Sequence, residues 1–173
     1  MIKKITLPIF FVFSIYSLYG QKDTVIYAND NNTIVKEKGQ IKNGKKIGVW
    51  KEFYTDEENK GLIKREHFYN SRGFSYKVKN YYDKNCNNII SGIGNYKEEN
   101  GFSVSHGKTI HYYCNGNIEY ISFYRNGSSL YSKSYYENGN IKGMQKHIID
   151  TGGERRGKWI RGYENGNIKE KVF

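Results

Sequence analysis

The chain has 173 residues, with 28 basic and 17 acidic side chains and a formal net charge of +11. This length fits one domain with a modest core. The basic residues are dispersed, with no run longer than a pair such as Lys45-Lys46 or Arg155-Arg156, which argues against a nucleic-acid-binding tract. The charge is explained either by attraction to an anionic partner or, more simply, by solubility and lysine protection of β edges.

Residues 1–20 are predicted to be a secretory signal peptide. Two lysines near the start precede a mostly apolar stretch at 5–18, and Gly20 precedes the polar Gln21. This is the order of an export signal, with cleavage expected between Gly20 and Gln21. The apolar stretch is short for a membrane-spanning helix, although an uncleaved anchor remains the alternative. Cleavage removes two lysines and lowers the net charge from +11 to +9.

Export predicts a periplasmic, outer-membrane-associated or secreted protein with no transmembrane segment after cleavage. Residues 21–38 are polar and are interpreted as a lead segment or a capping edge strand. Residues 39–173 are predicted to form a β-hairpin repeat domain. Within that domain, 61–83 reads as a degenerate repeat, and 84–105 and 143–156 read as irregular inserts.

A repeated heptapeptide is the most informative feature of the chain. Tyr-Glu-Asn-Gly-Asn-Ile-Lys at 136–142 returns at 163–169, and residues 113–119 differ from it at two positions. Self-similarity of this kind indicates a tandem array of small structural units.

The corners of the array are predicted from Asn-Gly pairs, because both residues tolerate the positive φ angles of a tight type I′ hairpin turn. The pair occurs six times, at 43–44, 100–101, 115–116, 126–127, 138–139 and 165–166. The spacing leaves seven to nine residues per strand, and strands joined by tight turns are antiparallel neighbours. The turn glycines of the clearest repeats are Gly116, Gly127, Gly139 and Gly166.

The fold class predicted from this spacing is all-β: an elongated antiparallel meander of hairpins in a single open, twisted sheet. The one proline lies in the signal peptide, so no proline interrupts a proposed strand. No helical period runs long enough to predict a helix.

At these repeats the chain resembles the variant MORN-repeat family (membrane occupation and recognition nexus), whose bacterial members include YwqK-type antitoxins. The matching segments are 48–54, 113–116, 124–127, 136–142 and 163–169. The resemblance implies a run of β-hairpins in an elongated sheet, and roles in protein scaffolding or contact with membrane lipids. It carries no shared catalytic residues.

Cys86 and Cys114 are the only cysteines, and export permits a disulfide between them. Two separate thiols are the alternative, because spacing alone does not place the two Cα atoms within bridging distance. Cys114 occupies a turn position where the sister repeats carry Glu137 and Glu164.

No catalytic or metal constellation is recognised. His106 and His111 are separated by an odd number of residues and would point to opposite faces of a strand, so a zinc site with Cys114 is not expected. Cys114 and His111 do not form a recognisable nucleophile pair. The acidic run 56–58 lacks the alternating oxygen spacing of a calcium loop. The prediction is therefore a non-enzyme without cofactor or metal.

Aromatic side chains are the candidate binding surface. Trp50, Trp159, Tyr113, Tyr136 and Tyr163 lie on predicted strands or beside turns, where an open sheet one layer thick leaves one face free. The alternative is a packing ladder of aromatics across strands.

These observations predict an exported, non-catalytic repeat protein that serves as a protein-binding or scaffolding module in the bacterial cell envelope. The partner is expected to be a protein. The alternatives are a basic surface that binds anionic lipid or polysaccharide, and an antitoxin-like neutralising protein. Nucleic acid is not expected as a partner.

Overall fold

The computed structural model describes residues 20–146, 148–149, 155–156 and 158–172. The proposed signal peptide lies outside the described residues except for Gly20. Among the residues that the structure describes, no helix has the length and apolarity that crossing a membrane demands.

Strands account for nearly all regular structure in the described residues. The first six are β1 (Lys22–Tyr27), β2 (Val35–Lys42), β3 (Lys45–Phe53), β4 (Ile63–Tyr69), β5 (Ser75–Tyr81) and β6 (Ile90–Glu99). The next five are β7 (Phe102–Ser105), β8 (Gly107–Tyr112), β9 (Ile118–Arg125), β10 (Ser128–Tyr135) and β11 (Ile141–Lys146). The last four are β12 (Ile148–Ile149), β13 (Arg155–Arg156), β14 (Trp159–Gly162) and β15 (Ile168–Val172). A single 3-10 turn, Lys84–Cys86, precedes β6.

Thirteen of the strands form one sheet in the order β1-β2-β3-β4-β5-β6-β8-β9-β10-β11-β14-β15, with β7 paired to β6, and β12 and β13 form a separate two-stranded sheet. Every neighbouring pair is antiparallel. The predicted all-β antiparallel meander in one open sheet is therefore confirmed. The predicted lead or capping segment, 21–38, contains β1, the first strand of the order. β2 runs across residue 39, where the repeat domain was predicted to begin.

The first predicted insert is more regular than expected. β6 and β7 form a hairpin around Asn100-Gly101, and its outer half pairs Tyr96–Glu99 with Phe102–Ser105. Residues 96–99 of β6 therefore pair with β7, while Gly92 and Ile93 near its start pair with β8. The end of β6, Tyr96-Lys97-Glu98-Glu99, lacks the apolar alternation that marks a half-buried strand, whereas β7 keeps it in Phe102-Ser103-Val104-Ser105. The second insert, 143–156, contains the end of β11 and the short pair β12–β13, and its other residues lie outside the described part.

The six Asn-Gly turns fall into two classes. At 43–44, 100–101 and 126–127 both residues have positive φ, as the type I′ prediction requires. At 115–116, 138–139 and 165–166 only the glycine does, so the type I′ prediction is wrong there.

These three turns are longer loops in which the Gly N–H donates to the Tyr carbonyl three residues earlier, at 2.9–3.0 Å. A type I turn followed by a left-handed residue has this pattern. The Asn carboxamide oxygen accepts from the backbone N–H two residues on, as from Asn117 to Asn115 at 2.9 Å, which explains why asparagine recurs in the motif.

The fully buried core of the described residues is small. Trp50 is 1% exposed and Val78 is 8% exposed, and no other apolar side chain of the described residues is classed as buried. The Trp50 ring lies against Gly39, where a Cβ atom would sit only 2.5 Å from it. Its Nε1 donates to the Gln40 carbonyl at 2.9 Å, and Lys46 Nζ lies 4.2 Å from the ring centre. Glycine at position 39 is thus required by the close approach of the indole.

The two faces of the sheet differ in composition. Directly opposed residues share a face, and alternate residues of a strand lie on opposite faces. One face, here called the small-residue face, carries Gly92, Ser122, Ser132, Ser134 and Gly143. The other, the lysine–isoleucine face, carries the continuous row Lys51, Glu66, Lys79, Ile93, Ile110, Ile121, Lys133, Met144, Ile160 and Lys171.

Glu66 is the one buried acidic side chain of the described residues, at 9% exposure. The Tyr81 hydroxyl donates to its Oε2 at 2.7 Å, and the Nζ atoms of Lys51 and Lys79 each lie 3.7 Å from a carboxylate oxygen. Burial, with the hydrogen bond to Glu66 and its negative charge, raises the pKa of Tyr81 from 10.0 to about 12.

We expect this contact to make the fold sensitive to alkali. Because the folded pKa of Tyr81 is raised, its contribution to stability is present below pH 10 and is lost as the pH rises to about 12. Denaturant titrations at stepped pH should show stability falling through this window, with a shallower fall in Tyr81→Phe. Tyr76→Phe is the control, since Tyr76 is 48% exposed. Equal slopes in Tyr81→Phe and the parent would contradict the assignment.

Candidate binding groove

The small-residue face carries a row of residues across its C-terminal half. Cross-strand pairing aligns His111 with Tyr120, Tyr120 with Ser134, and Ser134 with Gly143. Gly143 pairs in turn with Arg161. Small side chains in the middle of the row, flanked by aromatic and cationic ones, create a depression in the face.

One end of the depression has a volume of about 360 Å³. Its lining residues come from β10, β11 and β14: Ser132, Ser134, Gly143, Met144, Gln145, Trp159, Ile160 and Arg161. The Arg161 guanidinium lies 5.1 Å from the Trp159 ring centre, and one of its nitrogens lies 3.6 Å from Glu170. This end therefore combines hydroxyl and amide groups with an aromatic ring and a cation.

The other end has a similar volume, about 360 Å³, and is lined by His111, Tyr113, Glu119, Tyr120, Ser134, Tyr135 and Lys142. The rings of His111 and Tyr120 lie 5.9 Å apart between centres, tilted by 59°. Ser134 lines both ends, so the two depressions adjoin at this residue. We call the pair of adjoining depressions the Ser134 groove.

Two interactions shape the floor of the groove. Ser134 Oγ donates to the Gly143 carbonyl at 3.4 Å, and a Cβ atom on Gly143 would lie 3.2 Å from that hydroxyl. Beside it, Ser122 is fully buried, and its Oγ donates to the Tyr131 carbonyl at 3.0 Å. Larger side chains at these positions would fill the depression, so serine and glycine are what keep it open.

The groove is suited to binding through hydrogen bonds, ring contacts and positive charge. Burial is the main cause that raises the pKa of Tyr113 above 10.0, with the charges of Glu119 and Glu137 adding to it. Its hydroxyl donates to the Tyr135 carbonyl at 2.7 Å, so at this end the groove offers the ring of Tyr113. The strongly shifted Tyr81 lies at the Glu66 contact, away from the groove lining. Within the described ranges, no three His, Cys, Asp or Glu side chains are grouped to hold a metal ion.

The structure does not bring the five predicted aromatics together on one binding face. Trp50 is buried, so the expectation that it forms part of a binding face is wrong; its indole fills the space above Gly39. Trp159 and Tyr113 line opposite ends of the Ser134 groove. Tyr136 donates its hydroxyl to the Gly162 carbonyl at 3.1 Å, and Tyr163 is 49% exposed at the end of the repeat array.

Cys86 and Cys114 form a disulfide with their Cα atoms 5.1 Å apart, inside the range that bridging requires. Cys86 ends the 3-10 turn before β6, and Cys114 lies in the turn before β9. Tyr82 links the same two turns, since its hydroxyl donates to the Tyr112 carbonyl at 2.6 Å. The bridge therefore joins successive turns on one side of the sheet.

Nothing in the sequence marks Ser132, Ser134, Gly143, His111 and Arg161 as a group. The only local signal is the alternation of serine at 132 and 134 in β10, which by itself marks a polar strand face. Their convergence depends on the register of β8 to β14, and residues 111 and 161 are brought into one row by pairings across three intervening strands.

Comparison with known proteins adds no relative: no protein-family model matches the chain, and no curated protein matches it. The MORN-repeat resemblance therefore stays a prediction.

Proposed function

We propose that this protein is an exported, non-catalytic binding module that holds a protein partner in the bacterial cell envelope. The observation that supports it most is the Ser134 groove, which crosses five neighbouring strands of an open sheet. A groove of this kind fits an extended chain better than a compact small molecule, because its length is distributed over two shallow depressions.

The side chains of the groove favour an extended protein segment with acidic residues. Trp159 and Tyr120 offer ring faces for apolar side chains, and Gln145 with the serine hydroxyls offers hydrogen bonds. Arg161 and Lys142, at the two ends, are the cations that acidic side chains would meet. Aromatic residues and arginine are the types that carry most of the affinity in protein interfaces.

We expect Arg161→Glu to weaken retention of the partner by about tenfold, because it reverses charge at an exposed position of the groove. The measurement is capture from envelope extracts on the immobilised protein, followed by titration of the captured species. Phe123→Glu is the matched control, since Phe123 is 41% exposed on the opposite face. A partner retained equally by both variants would contradict binding in the groove.

A basic surface that binds anionic lipid or polysaccharide is the second candidate, favoured by the net charge of +11. Salt separates the two functions. Binding through dispersed surface charge is screened between low and high ionic strength, whereas a groove complex loses only the part that depends on Arg161 and Lys142 and keeps its ring contacts and hydrogen bonds. Equal loss of binding with salt in the parent and in Arg161→Glu would favour the second candidate.

A further inference from the structure

The loops on one side of the sheet repeat one contact along the array. Loops alternate between the two sides of a meander, and six of them fall on the same side: 28–34, 54–62, 82–89, 113–117, 136–140 and 163–167. In each loop the first residue donates its N–H to the carbonyl of the last, at 2.8–3.0 Å. The first residues are Ala28, Tyr54, Tyr82, Tyr113, Tyr136 and Tyr163.

Four of these tyrosines donate their hydroxyls to the next loop along the sheet. The acceptor is always the carbonyl of the residue just before the next loop: Tyr54 to Tyr81 at 3.1 Å, Tyr82 to Tyr112 at 2.6 Å, Tyr113 to Tyr135 at 2.7 Å and Tyr136 to Gly162 at 3.1 Å. We call this series the tyrosine ladder. Along the sheet, a repeat therefore donates a tyrosine hydroxyl to the repeat that follows it and offers a backbone carbonyl to the repeat that precedes it.

Asparagine side chains strengthen the same contact. Asn117 Nδ2 donates to the Glu137 carbonyl at 2.7 Å, and Asn140 Nδ2 donates to the Glu164 carbonyl at 2.8 Å. Asn167 is the corresponding residue of the last loop. The interface between repeats is therefore specified by side-chain donors and backbone acceptors, in addition to strand pairing.

The last loop presents the donor of the ladder with no acceptor among the described residues. Tyr163 is 49% exposed, and no described carbonyl accepts from its hydroxyl. The first loop presents the complementary half: Ala28 replaces the tyrosine, and the carbonyl before it belongs to Tyr27, which is 40% exposed. A donor surface at β15 and an acceptor surface at β1 are thus the two halves of one repeated interface.

Strand direction and register are also compatible. The strand that follows one of these six loops pairs its third residue with a residue of the strand that leads into the following loop of the set. That partner is the second residue before the loop, as in Gly92 with His111, Tyr120 with Ser134, and Gly143 with Arg161. The twelve strands of the main order alternate in direction, so a strand added beside β15 runs as β1 does. Applying the register to β15 and a second copy places Glu170 opposite Ile26.

Apolar side chains are exposed at both ends of the sheet. Six of the twelve large apolar side chains that are exposed in the described residues belong to the end strands or the last loop: Val25, Ile26, Tyr27, Tyr163, Ile168 and Val172. Exposed edge strands pair readily with another strand unless charges or bulges prevent it.

We infer that the β15 edge binds the β1 edge of a second copy of this chain, so that the tyrosine ladder continues between molecules from Tyr163 to the Tyr27 carbonyl. The contact is heterologous, since different surfaces meet, and it produces growing head-to-tail chains unless rotation closes a ring. Tyr163, Tyr27 and Ile26 do not line the Ser134 groove, so variants at Tyr163 and Ile26 test this interface independently of the proposed function. Glu170 lies 3.6 Å from Arg161 of the groove, so Glu170→Lys is interpreted only together with Ile26→Glu.

Sedimentation velocity of the full chain over a wide concentration range tests the inference. We expect the average sedimentation coefficient to rise continuously with concentration. Ile26→Glu places a carboxylate opposite Glu170 of the next copy and should weaken association by about tenfold. Adding Glu170→Lys to that variant should restore most of the loss, and Tyr163→Phe should weaken association while keeping the ring.

Phe123→Glu is the matched control, because it makes the same type of change at an exposed apolar residue away from both ends. Thermal melts check that each variant remains folded, since Ile26 also lies opposite Glu37 within the chain. A monomer at every concentration would overturn the inference. An equal reduction of association by Ile26→Glu and Phe123→Glu would also overturn it. The same holds if adding Glu170→Lys to Ile26→Glu does not restore association.

Discussion

Trp50→Ala is expected to lower the free energy of unfolding by about 3–5 kcal/mol, the range for removing a large aromatic side chain from a packed interior. The indole is 1% exposed and lies against Gly39. Its loss leaves a cavity, a Gln40 carbonyl without the indole N–H and an ammonium group of Lys46 without its ring contact. Because only one other apolar side chain of the described residues is buried, little of the remaining packing can compensate.

Urea denaturation followed by circular dichroism measures this change. Trp159→Ala is the matched control, since the same side chain there is only partly buried and lines the Ser134 groove. We expect the loss at position 159 to be clearly smaller. Similar losses at the two positions would show that burial of Trp50 is not what stabilises the N-terminal half of the sheet.

Removal of the disulfide is expected to cost about 3–4 kcal/mol. The bridge spans 28 residues, and closing a loop of that length in the unfolded chain accounts for a loss of this size on the chain-entropy model. The double variant Cys86→Ser/Cys114→Ser and the reduced parent should therefore have similarly lowered denaturation midpoints.

Reductant provides the internal control, because it should shift the midpoint of the parent and leave that of the double serine variant unchanged. The single variant Tyr82→Phe separates the bridge from the neighbouring hydrogen bond to the Tyr112 carbonyl. A parent whose midpoint does not move on complete reduction would contradict a stabilising role for the bridge.

Features of this fold that depend on neighbouring residues can be predicted from the sequence, and features that depend on residues far apart in the chain cannot. The Asn-Gly pairs and the strand spacing are local, since φ preferences and side-chain alternation act within a few residues. They were sufficient to predict the meander. The Asn100-Gly101 pair marks the corner of the β6–β7 hairpin, but the run Lys97-Glu98-Glu99 before it lacks the apolar alternation of a strand, so the segment reads as an irregular insert.

The type of turn at an Asn-Gly pair is not predicted by the pair alone. Asn115-Gly116 has the same two letters as Asn126-Gly127, but Asn115 keeps a negative φ while Asn126 adopts +50°. The two pairs lie in loops of different length: Asn126-Gly127 alone joins β9 to β10, whereas Asn115-Gly116 lies inside the longer loop 113–117, where the Gly116 N–H donates to the Tyr113 carbonyl. The dipeptide by itself does not distinguish the two cases, because it does not say where the flanking strands end and begin.

By itself, the sequence determined that this protein is an antiparallel array of hairpins, since the repeat states where the chain turns and how long each strand runs. Only the tertiary structure decided which aromatics are buried, which serines and glycines meet in the Ser134 groove, and which carbonyl each tyrosine of the ladder reaches. Those outcomes depend on register between strands, and one step of register moves every side chain to the other face.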